Sequence, residues 1–232
     1  MGFCVKSDPT QAETPVLQES LFQNLYIYNR KDIRKDGRKM EKTYIFLADG
    51  FEEIEGLTVV DVLRRGGIEV CTVSINGERK VTGSHNIPVL TDVVFEECDF
   101  TDGTLFVLPG GMPGTLHLGE HQGLAEVLKK AKAQGKRLAA ICAAPSVLGK
   151  LGLLKGERAV CHPGFEDQLE GAAVTEDMVE ISGQITTSRG MGTAVPFSLS
   201  LLRQLKGEAE VERVCQGLIW DPKKDQPGRK EN

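Results

Sequence analysis

The chain has 232 residues with 28 basic and 33 acidic side chains, a formal net charge of −5, and 40% hydrophobic and 26% charged residues. That length is enough to bury a substantial core in one or two domains, and the mild acidic balance argues against a nucleic-acid domain, which would present a basic face. Apolar runs stop well short of the roughly 18 residues of a membrane span, and no charged-then-apolar secretory signal opens the chain, so a cytoplasmic protein without a membrane anchor is expected.

In chain order, residues 1–40 form an N-terminal extension without sustained helical or strand period, ending in a run rich in Arg and Lys. Such runs are usually solvated. Met40 stands three residues before the first convincing strand. The codons for Asp36-Gly-Arg-Lys39 can spell a purine-rich ribosome-binding sequence, so translation is expected to start at Met40, with residues 1–39 a gene-calling artefact. A domain over 41–220 follows, then a polar tail over 221–232 containing Pro222 and Pro227.

Within the domain, Thr43-Tyr-Ile-Phe-Leu-Ala48 reads as a buried strand. The stretch from Glu52 to Arg65 reads as a helix whose apolar stripe is Ile54, Leu57, Val60 and Leu63, ended by Gly66-Gly67. Strands are expected from Ile68 to Ile75, Leu105 to Leu108 and Arg137 to Ile141, with helices carrying Leu124, Val127, Leu128 and Ala131, and from Ala143 to Leu151. Past Pro163 come a short helix, a hairpin around Gly183, and helices from Thr193 to Leu205 and near 208–217. This alternation predicts an α/β fold, a largely parallel sheet covered by helices on both faces. Sites on such sheets lie at the carboxyl ends of strands, which here means 49–55, 109–115 and 141–145.

The third junction is the most informative. In Arg137-Leu-Ala-Ala-Ile-Cys142-Ala-Ala-Pro-Ser146 a strand ends, a cysteine follows, and a helix begins at once, with Pro145 suited to its first turn. That is the pattern of a nucleophile elbow, and a helix N-terminus favours thiolate over thiol. A buried structural cysteine at a tight turn is the competing reading. In Leu108-Pro-Gly-Gly-Met-Pro-Gly114, backbone amides can face a developing oxyanion, although the segment is neither a P-loop nor a dinucleotide motif. Asp49-Gly-Phe-Glu-Glu-Ile-Glu55 puts three carboxylates at a helix start, where the dipole alone accounts for them; spacing does not choose which one turns inward. His162 follows a short strand twenty residues after Cys142. His85, His117 and His121 lack paired ligand spacing and read as structural. Of six scattered cysteines without a C-x-x-C pair, Cys71, Cys98 and Cys215 read as small apolar fillers.

Six segments in chain order resemble the ThiJ/PfpI superfamily, specifically its parkinsonism-associated deglycase (DJ-one-like) branch. They are Gly50-Phe-Glu-Glu-Ile-Glu55, Asp61-Val-Leu-Arg-Arg65, Leu108-Pro-Gly-Gly111, Ala140-Ile-Cys-Ala-Ala-Pro145, His162-Pro163 and Thr187-Ser-Arg-Gly190, within about residues 41–218. The resemblance implies a flavodoxin-like three-layer sandwich and a homodimer. It implies Cys142 as a low-pKa nucleophile prone to sulfinate formation, and Glu55 as the protonated carboxyl that donates to the thiolate and shuttles protons. It also implies Gly111 and Ala143 amides as the oxyanion hole, His162 beside the cysteine, and Arg65 as a dimer contact reaching the partner's site. No metal or cofactor is implied.

The implied function is glutathione-independent conversion of methylglyoxal or glyoxal to a hydroxy acid, with glycation adducts as related substrates. The rival is an oxidative-stress sensor or chaperone acting through Cys142 oxidation; a role near thiamine metabolism rests only on the superfamily's name. Departures narrow the field. Thr82-Gly-Ser-His85 stands where the human member carries additional cysteines, so their secondary redox or metal roles do not transfer. Ala144 replaces a common glycine of the elbow. His162-Pro163-Gly164 lacks the His-x-Glu pair of class I glutaminases, and Ala143 occupies the position of the peptidase branch's histidine.

Overall fold

The computed structural model describes residues 42–221; the extension over 1–40, the proposed start at Met40 and the tail beyond Asp221 lie outside the described residues. In chain order the elements are β1 (Lys42–Leu47), α1 (Glu53–Arg65), β2 (Glu69–Ser74), β3 (Lys80–Thr82), β4 (Pro88–Leu90), β5 (Val93–Val94), β6 (Gly103–Leu108), α2 (Gly114–Glu120), α3 (Gln122–Ala133), β7 (Arg137–Ile141), α4 (Pro145–Lys150), β8 (Arg158–Ala159), β9 (Ala173–Val174), β10 (Val179–Ser182), β11 (Ile185–Ser188), α5 (Ala194–Lys206) and α6 (Glu208–Leu218). The main sheet runs β10-β11-β7-β6-β1-β2-β5. Only its edge strand β10 is antiparallel to its neighbour.

The continuous apolar strands and intervening helices produce this arrangement directly. Every residue of β1 is buried, as a strand covered on both faces requires. Its side chains alternate between two cores: Tyr44, Phe46 and Ala48 point to the face covered by α2, α3 and α4, whereas Ile45 and Leu47 point to the face covered by α1, α5 and α6. The fold is thus a three-layer α/β sandwich of the flavodoxin-like class. Because β1, β6 and β7 lie side by side and run the same way, their carboxyl ends, at residues 48, 109 and 142, open onto one edge of the sheet.

Several local expectations are corrected. The helical stripe of α1 is rotated: Gly56, Val59, Val62 and Leu63 are buried, but Ile54 is 52% and Leu57 is 37% exposed. Three-residue steps drift around a helix of 3.6 residues per turn, and the inward face is instead set by the 56, 59, 63 spacing. The β3–β4 hairpin and α2 escaped the sequence reading because they are short and mostly exposed or glycine-bounded. The short helix after Pro163 is a single 3-10 turn, Glu166–Gln168.

Leu63 is fully buried between α1 and the sheet. Leu63→Ala is expected to lower the unfolding free energy by about 2–5 kcal/mol in a urea titration; a loss below about 1 kcal/mol would place Leu63 off the core face.

Candidate active site

Cys142 occupies the turn between β7 and α4 with φ +63, a left-handed conformation that non-glycine residues seldom adopt. Neighbouring strands hold it there. Its amide donates to the Ser188 carbonyl of β11 at 2.9 Å, and its carbonyl accepts from the His162 amide at 2.7 Å. The chain must reverse from strand to helix within three residues, and small Ala143 and Ala144, both buried, permit it. The thiol remains partly accessible.

Among the three acidic residues at the start of α1, the tertiary structure selects Glu55 for the elbow. Glu55 is 1% exposed. Its Oε2 accepts the Gly110 amide at 2.8 Å, its carboxyl lies beside the Cys142 side chain at Gly110 and Gly190, and its Oε1 has no partner. Glu53 turns the other way, accepting the His85 amide at 2.8 Å and the His85 ring Nδ1 at 2.9 Å. That pairing ties the β3–β4 hairpin to the start of α1. Gly110 and Gly111 are required by close approach: a Cβ on Gly110 would sit 2.7 Å from Cys142 Cβ and 2.8 Å from Glu55 Oε2, and one on Gly111 would strike the Glu52 amide. The amides of Gly111 and Ala143 both reach the Cys142 sulfur.

Burial dominates the electrostatics. It pushes Glu55 up to about 7, against the Gly110 and Cys142 hydrogen bonds and with help from the Glu52 charge. It pushes the Cys142 thiol up to about 12, reinforced by the charge and hydrogen bond of Glu55, while the Ala143 and Gly111 amides pull it down. The low thiol pKa expected from a helix N-terminus is therefore corrected for the ionised-Glu55 state. α4 has only six residues, a short dipole, and two neighbouring acids cannot both ionise cheaply in a desolvated site.

The DJ-1/PfpI family matches residues 41–204. The chain belongs to the DJ-1/PfpI family. It is 39% identical over 186 residues to "Protein DJ-1 homolog B" of Arabidopsis thaliana, covering 78% of this chain and 42% of that protein; it thus spans less than half the length of that relative. It is 32% identical over 169 residues to "Glutathione-independent glyoxalase DJR-1.2" of Caenorhabditis elegans, covering 72% of this chain and 89% of that one. The solved structure of oxidized Toxoplasma gondii DJ-1 superposes with a TM-score of 0.75 at 35% identity, covering 78% of this chain and 98% of that chain.

Of the residues singled out from sequence in this DJ-1/PfpI chain, Cys142, Glu55, Gly111 and Ala143 converge. His162 comes close without bonding to the sulfur: a Cβ on Gly190 would lie 3.6 Å from the His162 ring and 4.0 Å from Cys142 Sγ. The ring's Nδ1 donates to the Pro163 carbonyl at 2.9 Å. Arg65 is not brought to the elbow of its own chain. It pairs with Asp61 at 2.6 Å at the far end of α1, about 15 Å along the helix from Glu55. The sequence reading missed the Gly110 amide, since no side-chain signal marks a backbone donor. It also missed the partnership of His85 with Glu53, which lies 32 residues away. His121 is structural as read, its ring Nδ1 accepting the Leu124 amide to cap α3.

The raised Glu55 carboxyl has a stability consequence. Folded protein holds a proton there between the unfolded value of 4.5 and about 7, so its stability falls as pH rises through that window. Glu55→Gln, which keeps an acceptor for Gly110, is expected to exceed the parent in stability at pH 8 by roughly 1–3 kcal/mol, with the gap closing by pH 5. Urea titrations at both pH values check this; an equal gap at both would contradict it.

Proposed function

We propose that this chain is a glutathione-independent glyoxalase of the DJ-1 type, acting on methylglyoxal or glyoxal and, by the same chemistry, on glycation adducts. The observation that carries the reading is the buried Glu55 against the Cys142 thiol, with two amides aimed at the sulfur. The worm relative whose name states that activity supports it.

In the proposed reaction Cys142 passes its proton to Glu55, whose raised affinity for protons suits it to that task. The thiolate attacks the aldehyde carbon and forms a hemithioacetal. The Gly111 and Ala143 amides, which face the sulfur, stabilise the developing oxyanion. Glu55 hands the thiol proton to that oxygen and, ionised again, takes the proton from the former aldehyde carbon and returns it to the adjacent carbon, while the hydroxyl proton passes to the neighbouring oxygen and leaves a 2-hydroxy thioester. The aldehyde carbon is thereby oxidised and its neighbour reduced, so the electrons balance within the substrate and no external reductant or oxidant enters. Water cleaves the resulting thioester, releasing lactate from methylglyoxal or glycolate from glyoxal. His162, whose ring lies near the Cys142 sulfur across Gly190, assists protonation.

We also propose that the functional unit is the domain over 41–220 and that it works as a cytoplasmic homodimer. The exposed Ile54 and Leu57 on α1 support pairing through that helix, with Arg65 at its end as a contact. Leu57→Glu is expected to yield monomers in sedimentation velocity; an unchanged dimer would remove α1 from the interface.

The activity test uses purified protein and methylglyoxal without glutathione, with lactate measured enzymatically. Cys142→Ala is expected to abolish lactate formation, and Glu55→Gln to slow it about 10²–10⁴-fold. Absence of lactate from folded wild-type protein would overturn the reading in favour of oxidative sensing through Cys142, for which sulfinate formation under peroxide is the diagnostic.

A further inference from the structure

A second pair of reactive groups lies away from the elbow. Strand register places Cys71 of β2 opposite Tyr44 of β1. The segment carrying Cys98 folds back over the same place. Phe95 and Phe100 flank it in sequence, their rings 4.9 Å apart, and Phe100 meets the Tyr44 ring edge-on at 5.0 Å. Both cysteines pack on the core face that holds Tyr44, Phe46 and Phe106, whereas Cys142 packs on the opposite face. The Cys71 and Cys98 thiols are near enough to perturb one another's ionisation. Both are partly accessible, unlike the buried Cys161 and Cys215.

Their surroundings make the pair unequal. Lys42 bonds Asp102 at 2.9 Å, Tyr44 donates to Asp102 at 2.6 Å, and the Lys42 ammonium lies 4.8 Å from the centre of the Tyr44 ring. The interaction with Cys71, with the Lys42 charge, lowers the Cys98 thiol, and the same interaction, with burial, holds the Cys71 thiol up. Among the described residues no third His, Cys, Asp or Glu ligand converges on the two sulfurs, and the ammonium repels a cation. A metal site is therefore the weaker reading of the pair.

We propose that Cys71 and Cys98 form a second thiol redox centre, which hydroperoxides convert to an intramolecular disulfide. Cys98 is the attacking sulfur: an S–O bond forms, the O–O bond breaks, and the peroxide's remaining oxygen leaves as water or an alcohol. Cys71 then attacks the Cys98 sulfenic acid. The S–S bond forms, the S–O bond breaks, and hydroxide departs with the Cys71 proton as water. Two thiols lose two electrons and two protons, and the hydroperoxide gains them. Formation of the disulfide brings the two sulfurs to about 2.05 Å. The centre does not rest on the reading of Cys142.

The test treats the full chain carrying Cys142→Ser, with wild type in parallel, with hydrogen peroxide, followed by alkylation under denaturing conditions and peptide mass spectrometry. The expected product is a Cys71–Cys98 linked peptide in both proteins, lost on adding dithiothreitol. Adding Cys71→Ser is expected to leave a Cys98 sulfenic acid that dimedone traps, whereas adding Cys98→Ser leaves Cys71 labelled at least tenfold more slowly. No linked peptide in either protein, linkage between two chains, or faster oxidation of Cys161 or Cys215 than of the pair would overturn the proposal.

Discussion

The bond from the Gly110 amide to the Glu55 carboxylate joins the three strand ends on which the candidate site depends. Glu55 belongs to the helix that follows β1, Gly110 to the loop after β6, and both press on Cys142 at the end of β7. A second clamp runs from the Glu52 amide to the Gly110 carbonyl at 2.9 Å, so helix and loop are fastened in both directions. Parallel strands in register carry their ends to one edge, and only residues without side chains let the loop come this close. Those constraints together put a carboxyl group, a thiol and two amides within contact of one another.

The same arrangement opposes stability locally. A non-glycine residue at positive φ costs on the order of 1–3 kcal/mol, and a buried carboxyl with one oxygen unpartnered resists ionisation. The surrounding frame offsets this: β1 is buried along its whole length between two apolar cores. Strain of this kind persists where the rest of the fold over-determines it. Here the elbow is held by backbone bonds from β11 and from His162 as well as by its own strand. The proton demand of the Glu55 and Cys142 pair follows from desolvation, so it is set by how the layers close rather than by the identity of either residue.

The two sets of thiols occupy opposite faces of one sheet. Cys142 stands at a carboxyl edge, where loops and helix ends supply amides. Cys71 and Cys98 pack against the aromatic core of the other face, near the Lys42, Tyr44 and Asp102 cluster. Their environments differ accordingly: amides and a carboxyl group favour addition to a carbonyl, whereas a second thiol and an ammonium favour oxidation and resolution.

How much was legible beforehand depends on whether the signal was local. Continuous apolar runs and their alternation with helices dictated the parallel sheet, and β7 fell at the residues expected, because fully buried strands must be apolar along their length. Cys142 announced itself through the strand-to-helix turn and its small neighbours, and the glycines after β6 marked a loop fit for close approach. The phase of α1 misled, since Ile54 and Leu57 are as apolar as the residues that face inward and a period alone does not say which side meets the sheet. Spacing left Glu52, Glu53 and Glu55 undecided and the family resemblance pointed to Glu55; only the tertiary structure turned Glu55 to the elbow, paired Glu53 with His85, raised the thiol and carboxyl affinities for protons, and brought Cys98 near Cys71. Each of those outcomes depends on contacts between distant segments and on the exclusion of water between them, quantities that do not exist until the layers have closed.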